Sequence, residues 1–203
     1  EYMQGVYACF KAGMVPVNTN YRYADDELVY LWDNADAAAC IESGQLRRHA
    51  ERIRTRLPKV KLWMWAGDGP HPRPDWAADL DDAAQARQRQ GPVRGPWGRS
   101  GADRWFLYTG GTTGWPKGVM WEQDTLARLL TSTNPVPLGD EATMADHRDH
   151  VAATAGAAPV LLPAAPLMHG TGHMMSLGQL TLGGCVVTLP GRSLDPAAIW
   201  PAC

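Results

Sequence analysis

The sequence predicts an α/β fold in which helices are layered on a largely parallel sheet. Two observations carry this. Short apolar segments with a β-branched or aromatic bias alternate with longer ones whose apolar residues recur every three or four positions, and that alternation argues for layers of sheet and helix. Further along, an extended piece runs into a glycine-rich turn and a second extended piece leaves it.

Taken in order, "YMQGVYACFKAG" reads as a helix and "MVPVNTN" as a short apolar strand. "ADDELVYLWDNAD" has an acidic first turn and places Leu28, Leu31 and Trp32 on one face, which predicts a helix. "AAACIE" is the next strand. "GQLRRHAERIRTRLP" follows with Leu46, Ala50, Ile53 and Leu57 on one face, and its arginines (Arg47, Arg48, Arg52, Arg54, Arg56) are expected on the solvated face opposite. "KVKLWMWAG" completes the alternation as a buried strand.

Residues 67–103 turn to Pro, Gly, Asp, Arg and Gln around a short helix-like "WAADLDDAAQARQRQ" and read as a connecting excursion without chemistry of its own. Residues 104–121 read as strand, glycine-rich turn and strand. "TLARLLTSTN" is then a helix with Asp124 as its N-cap, and residues 135–158 are polar and irregular. "PVLLPAAPL" is expected as a buried strand, "HGTGHMMSLGQLTLGG" as a small-residue helix and "CVVTLP" as a final strand.

With 203 residues, 45% hydrophobic and 20% charged, the chain is globular. No apolar run approaches the roughly 18 residues of a membrane-spanning helix. A formal charge of -2 gives no reason to expect nucleic acid. Cys9, Cys40, Cys185 and Cys203 are scattered and form no CxxC pair, so the residues suggest reduced thiols in a cytoplasmic protein. The chain opens at Glu1 inside a predicted helix, without an initiator methionine, and closes just after another helix begins, so it is expected to be a piece of a longer protein.

"YTGGTTGWPKG", residues 108–118, concentrates four glycines, three threonines and one lysine. Without Cβ atoms, successive backbone N–H groups can turn into one concavity, and such nests bind anions. Thr109, Thr112 and Thr113 add hydroxyl donors and Lys117 a mobile positive charge, an inventory that fits a polyphosphate. The alternative is a tight hairpin whose glycines only satisfy turn geometry. The stretch is neither the Walker pattern, which needs Gly-Lys-Ser/Thr opening a helix, nor the GxGxxG of a dinucleotide fold.

"YTGGTTGWPKGVMW" closely resembles the phosphate-binding signature of the adenylate-forming enzymes, the superfamily of acyl-CoA synthetases, firefly-type luciferases and peptide-synthetase adenylation domains. Two further stretches resemble family segments in the expected order: residues 10–41, an early core segment, and residues 163–190, the histidine-containing segment of the acyl pocket. The resemblance implies a layered sheet-and-helix subdomain of the family's large N-terminal domain, truncated at both ends, with residues 104–121 as the phosphate-binding hairpin, residues 159–190 as the acyl-pocket segment, and the small C-terminal domain absent. "TGGTTG", "VMW" and "PLMHGTGH" look most like bacterial acyl-CoA synthetases that take fatty or other bulky apolar acids.

What the resemblance implies for the chemistry is attack of a substrate carboxylate on the α-phosphate of ATP, then transfer of the acyl group to coenzyme A. Thr109, Gly110, Gly111, Thr112, Thr113 and Gly114 would wrap the β- and γ-phosphates, Lys117 would neutralise charge on the leaving pyrophosphate, and Thr109 would approach the Mg2+ ion. His169 would stand at the wall of the acyl pocket. The partners implied are a small carboxylic acid, ATP and coenzyme A. The same signature also fits an aryl-CoA ligase, a peptide-synthetase adenylation domain or a binding module without chemistry. In the family, further catalytic segments follow the histidine segment, so the chain alone is expected to turn over no acid.

His173 stands four residues after His169, a spacing that could pair them on one helix face, yet no cysteine or carboxylate accompanies them as a metal site would require. His147 and His150 of "DHRDH" read as a solvated loop. Met168, Met174, Met175 and Leu177 read as plain core or as the lining of an apolar tunnel.

Overall fold

Three consecutive acids open the second helix, where the exposed N–H groups of a first turn favour negative charge. In the computed structural model this helix is α2, Asp25–Asn34, following α1, Tyr2–Ala12. The Ala24 N–H donates to the Glu27 carboxylate at 2.8 Å, closing the turn from behind. The structure describes residues 1–67, 71–87, 95–110, 114–132, 143–154, 157, 159–189 and 195–202. They divide into two compact units, Glu1–Glu122 and Gln123–Cys203, described separately below.

The first unit is built on a parallel sheet in the order β1 (Ala39–Ser43), β2 (Leu62–Ala66), β3 (Ala78–Asp79). Ala39 stands opposite Leu62 and Ser43 opposite Ala66. The crossover between β1 and β2 is helix α3, Arg47–Ile53, flanked by single 3-10 turns. The apolar stripes read from the sequence face the core: Leu28, Leu31 and Trp32 of α2 pack with Ala50 and Ile53 of α3, Leu57, and Trp63 and Trp65 of β2. Leu31 and Ile53 have no exposed surface. Trp63 meets Trp32 and Trp76 edge to face at 5.8 and 5.7 Å, an arrangement that suits the ring quadrupoles.

The arginines between residues 47 and 56 are not simply solvated. Arg52 forms a double hydrogen bond to Asp25 at 2.6 and 2.9 Å, Arg56 reaches Asp26 at 2.8 Å, and Arg47 pairs with Glu51 one turn on. Arg54 lies over the Trp76 ring. The Arg52 hydrogen bonds, aided by His49, hold the Asp25 carboxyl down at about 2. The acidic first turn of α2 is thus matched by the basic stretch 24–30 residues later. Exposed pairs of this kind add little stability individually.

Residues 67–103 contribute more than a connection. Ala78 and Asp79 add strand β3 to the sheet, and helix α4, Leu80–Arg87, follows it directly, with the Asp79 carboxylate accepting from the N–H groups of Asp81 and Asp82 at 2.9 and 3.1 Å. "MVPVNTN" forms no full strand: Val17 makes a single parallel bridge to Phe106, because Pro16 has no N–H with which to extend the ladder.

Glu42, on β1, is buried with both carboxylate oxygens lacking a hydrogen-bond partner among the described residues. Burial pushes its carboxyl up from 4.5 to about 7, Glu51 adds to the rise, and Arg47 opposes it. Between those values the folded chain keeps a proton that the unfolded chain has lost, so stability falls as pH rises through this window. Glu42→Gln is expected to remove that dependence and to raise stability at pH 8 by about 1 kcal/mol, after allowance for solvent screening. Urea unfolding from pH 4 to 8 checks it; parallel curves for the two proteins would refute it.

In the second unit, α5 (Gln123–Ser132) buries Leu126 and Leu130. It begins two residues earlier than the sequence suggests, so Asp124 is not its N-cap but a first-turn residue paired with Arg128 at 3.0 Å. The stretch expected to be irregular contains helix α6, Met144–Thr154, which starts on a reciprocal cap: the Asp146 carboxylate accepts from the Thr143 N–H at 2.8 Å and the Thr143 hydroxyl from the Asp146 N–H at 3.3 Å. His147 is therefore on a helix, with Nε2 2.8 Å from the Thr181 carbonyl. Strands β6 (Val160–Leu161) and β7 (Cys185–Val186) pair in parallel and are shorter than the apolar runs predict. Helix α7, Gly170–Thr181, lies between them in sequence, and α8, Pro196–Ala202, ends the unit.

Cys9, Cys40 and Cys185 are free thiols, and no helix among the described residues is long and apolar enough to cross a membrane.

Candidate active site

Two antiparallel strands carry the glycine-rich turn. β4 (Arg104–Thr109) and β5 (Lys117–Glu122) pair from Arg104 opposite Glu122 to Thr109 opposite Lys117. Thr109 and Lys117 therefore close the ladder as a cross-strand pair, their side chains on the same face at the mouth of the turn. Both are exposed, and among the described residues Lys117 has no ion pair. An ammonium with no ion pair among the described residues, beside a hydroxyl, can receive an anion.

Gly110 and Gly114 are exposed, with nothing within 4 Å of a Cβ placed on either. Gly114 has φ +144°, a conformation that L side chains rarely adopt. Gly111, Thr112 and Thr113 lie outside the described residues.

The strand leading into the turn is held from two sides. Trp105 has no exposed surface, and Leu107 and Tyr108 are buried. Beside β4, on the edge away from β5, the Phe106 N–H donates to the Pro16 carbonyl at 3.0 Å and the Asn18 N–H to the Phe106 carbonyl at 3.3 Å. There the Asn18 side chain takes over as a strand partner: its Nδ2 donates to the Tyr108 carbonyl at 3.0 Å and its Oδ1 accepts from the Tyr108 N–H at 2.5 Å. Sequence reasoning missed Asn18, although an asparagine closing an apolar β-branched segment is out of place there unless its amide has a specific partner.

Two residues of α2 touch the same hairpin. The Tyr108 hydroxyl donates to Asn34 Oδ1 at 2.6 Å, and the Tyr30 ring packs against Trp115, tilted by 35°, with ring centroids 4.9 Å apart. Burial, with Tyr30 and Asp36 adding to it, raises the Tyr108 phenol, which keeps its proton available for Asn34. Pro116 is fully buried between Trp115 and Lys117.

His169 belongs to the second unit. It is the residue before α7, extended at φ -93° and ψ 146°, exposed, and its carbonyl accepts the His173 N–H at 2.9 Å. His173 is the opposite case. It has no exposed surface, its ring meets the Leu167 backbone, and burial pulls it down to about 4, so it is neutral at physiological pH. The two do not form a metal pair, and among the described residues no group of three His, Cys, Asp or Glu side chains could hold an ion. Met168 and Leu177 are core, whereas Met175 is exposed.

A model of the "AMP-binding enzyme" family matches residues 1–203. The chain belongs to that family. A medium/long-chain-fatty-acid–CoA/3-oxocholest-4-en-26-oate–CoA ligase of Mycolicibacterium smegmatis is 32% identical over 209 residues, covering 100% of this chain and 36% of the ligase. A 3-oxocholest-4-en-26-oate–CoA ligase of Rhodococcus rhodochrous is 31% identical, covering 94% of this chain and 34% of its own length. The chain thus spans about a third of the length of the curated relatives it matches. Among solved structures, the inhibitor-bound N-terminal domain of FACL13 from Mycobacterium tuberculosis superposes with a TM-score of 0.67 at 20% identity, over 97% of this chain and 42% of that domain, a likeness of fold.

Proposed function

We propose that the protein is an ATP-dependent acyl-CoA synthetase, acting on fatty or other bulky apolar carboxylic acids, and that this chain supplies its phosphate cradle and part of its acyl pocket. The carrying observation is the paired, exposed Thr109 and Lys117 at the mouth of a braced glycine-rich hairpin. In the first step a carboxylate oxygen bonds to the α-phosphorus and the bond to the β-phosphate bridge breaks, releasing pyrophosphate. Thr109, Gly110 and Gly114, with Gly111, Thr112 and Thr113, receive the β- and γ-phosphates. Lys117 offsets the charge that gathers on the leaving group. In the second step the coenzyme A thiolate bonds to the acyl carbon and AMP leaves.

Mg2+ is the ion expected with ATP, and such an ion is held by one or two side chains together with phosphate oxygens and water. The described residues offer it only the Thr109 hydroxyl and no carboxylate cluster. They do not by themselves make its site, and no step here depends on it.

Acid-dependent ATP–pyrophosphate exchange, measured in a protein carrying this sequence at full family length with fatty, steroid-like and aromatic acids, tests the reading. Exchange should appear with the fatty and steroid-like acids. No exchange with any acid would overturn it. In the same assay, His169→Ala is expected to raise the apparent constant for the acid about tenfold, the loss of roughly 1.4 kcal/mol of contact, and to leave that for ATP unchanged. A shift confined to ATP would remove His169 from the acyl pocket.

A further inference from the structure

The glycine-rich turn is gripped on both flanks by one helix. Tyr30 and Asn34 stand four residues apart on α2, the spacing that puts two side chains on one helix face. Asn34 takes the Tyr108 hydroxyl on the flank leading into the turn, and Tyr30 takes the Trp115 ring on the flank leaving it. The two contacts lie on opposite sides of residues 109–114, and the whole grip falls within Glu1–Glu122. Asn18 fixes the Tyr108 backbone independently, so the leading flank is doubly held, while on the trailing flank the Trp115 side chain meets Tyr30.

Trp115 is 52% exposed, which is unusual for the largest apolar side chain unless one of its faces is occupied. The Tyr30 ring lies against it, with centroids 4.9 Å apart and planes tilted by 35°. The neighbouring Pro116 is fully buried and fixes its own φ, so the trailing flank is stiff from Trp115 to Pro116. A turn whose two flanks are fixed relative to one another loses less conformational freedom on binding an anion, and that lowers the cost of binding.

We infer that Tyr30 and Asn34 of α2 are positioning residues for triphosphate binding: they staple the two flanks of the turn, through Trp115 and Tyr108, at the span the β- and γ-phosphates require. They touch no substrate. Their effect is expected on the apparent constant for ATP, through preorganisation, and not on the acid or on the chemical step once ATP is bound. The inference rests on the proposed reading of the turn as a phosphate cradle.

The test uses the full-length protein and four variants: Tyr30→Ala, Trp115→Ala, the double variant and Tyr30→Phe. Breaking the stack from either side should raise the apparent constant for ATP about fivefold, the size expected from one aromatic pair. Turnover at saturating ATP and the constant for the acid should stay within about twofold, since only the preorganisation of the turn is lost. The double variant should be no worse than either single one, and Tyr30→Phe should restore the wild-type constant, because it keeps the ring. Trp115→Ala is made at an exposed position, so it tests the stack even if Tyr30→Ala fails to fold. Inorganic triphosphate as a competitor provides a second readout, and its inhibition constant should weaken in parallel.

Unchanged ATP constants in both single variants would overturn the staple. So would fully additive effects in the double variant, or equal losses in ATP and acid constants, which would indicate general damage to the fold. Lys117→Ala, run alongside, separates the two levels. If Lys117→Ala impairs exchange and the stack variants do not, the staple fails and the cradle stands; if Lys117→Ala has no effect, the cradle itself fails.

Discussion

Lys117→Ala is expected to slow acid-dependent pyrophosphate exchange by about 10²–10³-fold, the usual loss when one preorganised charge stabiliser is removed from a transition state. The thermal unfolding midpoint should not move, because the side chain is exposed and makes no ion pair among the described residues. Its charge is thus free for a ligand, and alanine removes that charge without leaving a buried partner behind. Arginine at the same position should recover only part of the rate, since a planar fork does not reproduce a compact ammonium beside Thr109. Exchange kinetics and a melting curve on the same preparations check this. A wild-type exchange rate in the alanine variant would make Lys117 an ordinary surface lysine at the end of a hairpin.

The features legible in the sequence were those written into local pattern. Helix α2 and the β1–α3–β2 crossover follow from apolar residues at the period of their element, and Leu28, Leu31, Trp32, Ala50, Ile53 and Leu57 are buried as that spacing implies. The hairpin was legible from glycine density between two extended pieces. Helix α6 was not, because "MADHRDHVAAT" has polar residues all round and no apolar stripe to detect. Its signal lay in the cap, Thr143 with an acid three residues on. The strands expected from "PVLLPAAPL" and "CVVTLP" shrink to two residues each; in the first, Pro159, Pro163 and Pro166 leave no run of more than three residues able to give backbone N–H groups to a ladder.

Residues that brace the site were illegible for a different reason. Asn18 and Tyr108 are 90 positions apart, and Asn34 and Tyr108 are 74 apart. No periodicity encodes such contacts; they exist only once the segment after α1 has been laid beside β4. The arginines of α3 and the turn after it illustrate the same limit. Their spacing marks a polar face, but their partners Asp25 and Asp26 are set by the packing of α3 on α2.

Gly172→Ala is expected to destabilise the second unit by about 2 kcal/mol. A Cβ on Gly172 would stand 2.5 Å from the Ala165 carbonyl oxygen and 2.6 Å from that of Pro166. Both atoms are backbone, so neither can move aside as the end of a flexible side chain could. Alanine gains about 1 kcal/mol over glycine inside a helix, while forcing extra volume into so close a contact costs about 3 kcal/mol; the contact wins. The functional consequence follows from where those carbonyls sit. Pro166 O accepts the His169 N–H at 3.0 Å, so pushing residues 165–166 off α7 moves the anchor of His169. Gly172→Ala should therefore lower the urea midpoint and also weaken the apparent constant for the acid, whereas Lys117→Ala affects neither stability nor acid selection. Denaturation and exchange assays on the two variants together distinguish these patterns. A Gly172→Ala protein as stable as wild type would show that α7 does not pack on the 165–166 backbone as closely as described.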